Sequence, residues 1–162
     1  MPNNLPLAGK TVILTGTSAT LTVQDKVRGN GGQVVIFPLI RVQEFFEQDG
    51  LMLTEIHRYN WLIFTSQNGV ETFVAKLLRA NIDVRSIQAH IAAVGEKTAQ
   101  CLERAGLTVH FIPTTYSADA FVQEFQAVAG AEPRCLFLRG SLAKATIQEG
   151  LPYEVVAWTV YE

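Results

Sequence analysis

The sequence predicts an α/β protein, with parallel sheets flanked by helices and with one unit complete and one partial. Short, mostly uncharged apolar runs alternate with segments of helical periodicity, the pattern of a parallel sheet covered on both faces. Glycine, proline or a hydroxyl residue marks most junctions between them. The first strand–helix–strand unit, residues 11–37, offers only two strands, too few to bury both faces of a sheet.

Taken in order, residues 11–15 (TVILT) form the first expected strand. Residues 33–37 (QVVIF) form the second, entered through Gly31 and Gly32 and closed by Pro38. Between them Ala19, Val23 and Val27 fall at helical spacing, although Thr20 and Thr22 oppose it. Residues 39–42 (LIRV) continue as an extended segment. Residues 61–65 (WLIFT) read as a buried strand, and Ser66 as the cap of a helix over 67–80. The stripe of that helix is Val70, Phe73, Val74, Leu77 and Leu78. Residues 90–94 (HIAAV) lead into Gly95 and a helix through Ala105, stopped by Gly106. A strand over 109–112 ends at Pro113. Ser117 then caps a helix with the stripe Ala118, Phe121, Val122, Phe125 and Val128. Residues 135–138 (CLFL) are a further strand, followed by Gly140, a short helix near 142–149, and extended segments at 153–156 and 158–161.

Composition narrows the function classes. Apolar residues make up 48% and charged residues 17%, enough for a buried core and too apolar for long disorder. Net charge is -2, and no block of Lys or Arg is present to grip a phosphate backbone, so nucleic acid is not an expected partner. No apolar run approaches the roughly 18–20 residues that span a bilayer. Met1 leads into Pro2, Asn3 and Asn4 without a basic-then-apolar leader, so a cytoplasmic protein is expected. Cys101 and Cys135 lack paired-ligand spacing and read as two buried thiols in a reducing compartment.

A loose repeat places polar groups where the strands end: WLIFTS, IAAVGE and CLFLRGS each deliver a small or hydroxyl residue to the start of a helix. Doubly wound sheets bind ligands there, because free N–H groups and helix dipoles converge. Thr65 and Ser66, with Asn68 and Gly69, read equally as an ordinary cap and as an anion site. Gly95 with Thr98, and Ser117 with Ala118, carry the same two readings. Arg139 is the one guanidinium at a strand's carboxyl end. Other chemistries are disfavoured. The turn Thr15–Gly16–Thr17–Ser18 lacks the later glycines of a dinucleotide fingerprint, and Phe37–Pro38 stands where the acidic residue belongs. Gly95–Glu96–Lys97–Thr98 lacks the upstream glycine of a P-loop. His57, His90 and His110 lie on separate elements without metal spacing, and no nucleophile elbow or paired carboxylate stands out. Tyr161 reads first as a packing aromatic, and second as a phenolic acid.

Five segments in order then become specific: WLIFTSQNGVETF, IAAVGEKTAQCLERAGL, FIPTTYSADAF, CLFLRG and VVAWTVYE. Together they resemble the uroporphyrinogen-III synthase family, from PLIRV at 38–42 to the closing VY, over nearly the whole chain from Lys10. The resemblance implies two α/β domains joined by a two-stranded ladder, with a substrate cleft between them. Residues 1–38 would be the first part of a split domain, and 39–157 a complete inserted domain. Residues 158–162 would return toward the split domain, with 39–43 and 157–161 as the connecting strands. Family members continue well past the position of Tyr161, so a truncated chain is expected, and strand exchange between chains through the open unit at 11–37 with it.

The family closes hydroxymethylbilane, a linear tetrapyrrole with many carboxylates, into uroporphyrinogen III. The last ring is inverted through a spiro intermediate with loss of water, and no metal or cofactor is needed. By resemblance Thr65, Ser66, Gly95, Thr98, Ser117 and Arg139 would bind substrate, and Tyr161 would help the hydroxyl leave as a general acid. A phenol, which ordinarily titrates near about 10, holds the proton it would donate. Relatives commonly read Thr-Arg where this chain has Thr15–Gly16, a departure that lowers the expected substrate affinity. Two rivals remain at this stage. One is a non-catalytic tetrapyrrole-binding or regulatory module of the same fold; the other is a nucleotide-dependent oxidoreductase, which the absent glycine fingerprint disfavours.

Overall fold

The computed structural model describes residues 5–16 and 21–162. Thr17, Ser18, Ala19 and Thr20, on which part of the first turn and helix were expected, lie outside the described residues. The chain divides into two compact units, residues 1–42 and 43–162.

In the first unit β1 (Thr11–Leu14) and β2 (Gln33–Ile36) pair in parallel, connected by α1 (Leu21–Gly29). Gly31 takes φ +84°, a left-handed turn that a side chain would strain, and it delivers the chain from α1 to β2. Val27 and Gln24 are buried. Ile13, Val35, Ile36 and Phe37 are all exposed by 45% or more, so the two-stranded sheet leaves apolar surface uncovered.

The second unit contains a five-stranded parallel sheet. Its strands are β3 (Trp61–Phe64), β4 (His90–Ala93), β5 (Val109–Phe111), β6 (Cys135–Gly140) and β7 (Val155–Tyr161), in the order β5-β4-β3-β6-β7. Every residue of β3 is buried, as a central strand covered on both faces requires. The alternation splits its side chains between two cores. Leu62 and Phe64 face α2 (Asp49–Glu55), α3 (Gln67–Arg79) and α4 (Glu96–Arg104), packing on Phe73, Leu77, Leu102 and Trp158. Trp61 and Ile63 face α5 (Ala118–Phe125) and α6 (Thr146–Gly150), packing on Phe121, Phe125 and Phe137. Burial of each such aromatic stabilises by about 1.5–3 kcal/mol.

The helix ends follow the local chemistry. Ser66 Oγ accepts from Gly69 N at 3.1 Å and Ser117 Oγ from Ala120 N at 3.1 Å, both as N-caps. Gly106 takes φ +90° after α4. Several expectations need correction. Leu78 is 70% exposed, at the outer margin of its stripe beside the buried Leu77, and Val128 is 51% exposed, past the end of α5 at Phe125. Residues 153–156 and 158–161 belong to one strand, β7, which Ala157 continues. No strand covers 39–42; the antiparallel pairing begins at Gln43, which exchanges backbone bonds with Glu162 at 2.8 and 2.9 Å. The helix α2 was not foreseen. Its signal is Met52 and Ile56, one turn apart and both buried, diluted by the exposed Leu51.

Candidate functional site at the carboxyl edge of the sheet

The strand order reverses between β3 and β6: the chain passes from β3 outward to β4 and β5, then returns to β6 beside β3. Loops leaving such a pair diverge to opposite faces and open a crevice at the carboxyl ends, the position where this architecture binds ligands. The residues that stand there are Thr65 and Ser66 after β3, Gly140 at the end of β6 and Tyr161 at the end of β7.

Their geometry is close. Ser66 Oγ and Tyr161 Oη share a hydrogen bond of 2.9 Å, with either atom able to donate. Ser66 Oγ also accepts from Gly69 N, so one hydroxyl both caps α3 and touches the phenol. The Tyr161 ring lies flat against Gly140: a Cβ there would stand 2.6 Å from Cζ and 2.9 Å from the phenol oxygen. Gly69 is also close, 3.8 Å from the ring by the same measure. The aim of the ring comes from an irregular register. Arg139 pairs with Thr159 but Gly140 pairs with Tyr161, so β7 carries one extra residue, Val160, at this point. Val160 and Trp158 turn into the core with no exposure, while Tyr161 stays half-buried at the edge.

The remaining expected site residues share this edge but not this crevice. Gly95 caps α4 without a side-chain bond, and a Cβ there would meet only Tyr116, at 4.0 Å. Gln67 Nε2 donates to Lys97 O at 3.3 Å, joining the starts of α3 and α4. Thr98 is 5% exposed, so most of its side chain is packed within the start of α4. Ser117 spends its oxygen on the cap of α5. Arg139 folds its guanidinium onto the following turn, donating to Gly140 O at 3.2 Å, Ser141 O at 3.3 Å and Ala143 O at 2.6 Å. It braces the loop beside Tyr161. Sequence reasoning named Gly69 with Asn68 at the start of the helix but missed Gly140 as a site residue. Its signal was its position after CLFLR, where a strand end meets a bulky neighbour.

At the opposite edge, a groove of about 490 Å³ is lined by Ile56, His57, Tyr59, Asn60, Ile82 and His90, among others. Two of its polar groups are engaged: Asn60 Oδ1 accepts from Arg134 N at 2.8 Å and Tyr59 Oη donates to Met52 Sδ at 3.9 Å. His90 and His110, read as scattered, are brought together by the pairing of β4 with β5. Their rings are 4.6 Å apart beside Trp61, and Ile91 N donates to His110 Nδ1 at 3.1 Å. Burial, then the neighbouring His90, pushes the His110 imidazole below its ordinary range. Burial also pushes the Cys135 thiol up to about 12, and raises that of half-buried Cys101. Among the described residues no cluster of His, Cys, Asp or Glu could hold a metal ion, and no helix is long and apolar enough to cross a membrane.

Comparison with known proteins gives the family. The sequence matches the family described as uroporphyrinogen-III synthase HemD over residues 22–162. A uroporphyrinogen-III synthase of Synechococcus elongatus is 34% identical over 142 residues, covering 83% of this chain and 52% of the relative. Another, of Chlorobaculum parvum, is 29% identical over 137 residues, 82% of this chain and 54% of the relative. The chain thus spans about half the length of these relatives. A solved mutant uroporphyrinogen III synthase from Thermus thermophilus superposes with a TM-score of 0.67 at 14% identity, over 94% of this chain and 62% of that one. At that identity the likeness concerns the fold. The sequence match over most of the chain carries the family: this protein belongs to the uroporphyrinogen-III synthase family.

Proposed function

We propose that this chain supplies the Tyr161 lobe of a uroporphyrinogen-III synthase, a cyclising hydro-lyase that converts hydroxymethylbilane to uroporphyrinogen III. The observation that carries the reading is the Ser66–Tyr161 hydrogen bond at the reversal point of the sheet, in a chain of this family.

The chemistry asked of the lobe is modest. The hydroxyl on the substrate's terminal methylene leaves as water once protonated, and the resulting azafulvene is attacked within the same molecule. Most of the remaining barrier is a matter of holding the two ends together. The Gly69 N–H directed onto Ser66 Oγ leaves the serine proton available for the phenol oxygen. With Ser66 donating, the Tyr161 proton points out of the ring's resting place and toward a bound leaving group. Anchoring of the substrate carboxylates falls to the starts of α3, α4 and α5, where exposed N–H groups and the helix dipole favour anions without a cluster of cations. Gly95 suits this, since its helix start has no side-chain cap competing for those amides. Thr65, Ser66, Thr98 and Ser117 are proposed to line the same surface, and Arg139 to hold the adjoining loop.

The domain arrangement is part of the proposal. Residues 1–38 would begin a split domain, whose uncovered apolar side chains Ile13, Val35 and Phe37 would be covered by strands from the half of the relatives that this chain does not span. The catalytic cleft would need both lobes, and cytoplasmic placement belongs to the same reading. Assay with freshly prepared hydroxymethylbilane, scoring isomer III against the isomer I that forms spontaneously, tests it. The chain by itself is expected to give only isomer I. Supplied with the second lobe it is expected to give isomer III, and Tyr161→Phe to slow that by roughly 10²–10⁴-fold, the usual worth of a general acid. Isomer III from this chain alone would contradict the two-lobe reading.

A further inference from the structure

A buried cation lies near the carboxyl end of α3, against residues 45–49 and Trp158 of β7. The Lys76 side chain, on α3, has no exposure at all. An ammonium is costly in such a place unless its donors are met. Two are met at 2.6 Å, by Phe45 O and Asp49 Oδ2. The rings of Phe46 and Trp158 face it at 4.6 and 6.0 Å. The other oxygen of Asp49 accepts from Trp158 Nε1 at 3.3 Å, which ties the cation to the middle of β7.

The segment that Lys76 holds is the one that runs along the end of β7. Phe45 N donates to Val160 O at 2.9 Å, Gln43 and Glu162 exchange two backbone bonds, and Gln48 Oε1 accepts from Thr159 N at 3.3 Å. Glu44 stands opposite Tyr161 in an antiparallel bridge. Tyr161 is therefore gripped between β6 and residues 43–45, next to the extra residue that aims its ring. Packing alone does not call for a charge at this point, since apolar replacements of buried ion pairs are often neutral or stabilising. What the ammonium adds is direction: its bond to the Phe45 carbonyl specifies which residue of the segment lies against Val160.

We propose that Lys76 is a positioning residue for the Tyr161 phenol, locking the register of residues 43–49 against the end of β7 and so holding the phenol on Ser66. This deepens the proposed function and rests on Tyr161 being its proton donor.

The test is made on this chain, with Lys76→Met, Lys76→Arg and Asp49→Asn, by amide hydrogen exchange and the NMR signals of the Tyr161 ring. In Lys76→Met, exchange at Phe45 and Glu162 is expected to rise at least roughly tenfold as a local opening, with Leu62 and Ile91 unchanged. The Tyr161 ring signals move with it, and Lys76→Arg restores part of both effects. An unmoved Tyr161 signal overturns the proposal, as does exchange that rises equally at Leu62, the mark of a cation needed only for stability. Should Lys76→Met fail to fold, Asp49→Asn decides. It removes the counter-charge that holds the ammonium against the Phe45 carbonyl and is expected to give the same pattern at smaller amplitude, and no shift of Tyr161 in the folded variant overturns the proposal. No turnover enters these readouts. Failure of the catalytic reading would show separately, as full isomer III production by a two-lobe Tyr161→Phe enzyme.

Discussion

Gly140 and Tyr161 are two halves of one device. A ring can lie against the end of β6 only where no side chain stands, and a Cβ at Gly140 would sit 2.6 Å from it. Gly140→Ala is therefore expected to expel the ring, to break the bond to Ser66, and to lower stability by about 1–3 kcal/mol through overpacking. Urea unfolding measures the cost and the Tyr161 ring signals report the displacement; an unmoved ring would show that the contact can relax. Residues of this kind were only partly legible beforehand. Ser66 and Tyr161 could be singled out because a hydroxyl at a helix start and an aromatic at a strand end have recognisable uses. Gly140 could not, since its role depends on an irregular pairing 21 positions away along the chain. Arg139 shows the opposite failure: a guanidinium at a strand's carboxyl end reads as an anion ligand, yet three carbonyls of the following turn take up its donors.

Periodicity made most elements visible. The strands β3, β4 and β6 and the helices α3, α4 and α5 lie within a few residues of their expected bounds, because apolar runs and N-caps are local signals. Strand pairing is not local, and the meeting of His90 with His110 followed from it. That pairing sets a pH dependence. The folded chain binds a proton at His110 less readily than the unfolded chain does. Its contribution is complete above the ordinary histidine value of 6.5 and is lost as pH falls below it. His90 and Trp61 face the ring, and the nearby Arg85 is exposed and paired with Asp83. The urea midpoint is expected to fall between about pH 7.5 and about pH 5.5, and His110→Gln to flatten that slope. Equal slopes in the two proteins would assign the dependence elsewhere.

Across the whole chain, the sheet of residues 43–162 is a finished object, with helices on both faces and Phe64, Leu136 and Phe137 almost wholly removed from water. Residues 1–42 contribute a two-stranded sheet with uncovered apolar side chains. This contrast was readable from strand count alone, because two strands cannot enclose a core. The course of residues 39–49 was not readable. Within them, the backbone of Gln43 and Phe45 is satisfied by Glu162, Val160 and the buried Lys76 of α3, partners more than 25 positions distant. The central claim is that polycarboxylate tetrapyrroles meet this lobe at the carboxyl edge of the sheet. The most direct measurement is an NMR titration of the chain with uroporphyrinogen III, kept reduced, mapping perturbed amides. Shifts are expected at Ser66, Gly69, Gly95, Gly140 and Tyr161, with the His57–His90 groove unaffected. Shifts confined to that groove, or none at concentrations that saturate a two-lobe synthase, would contradict the account.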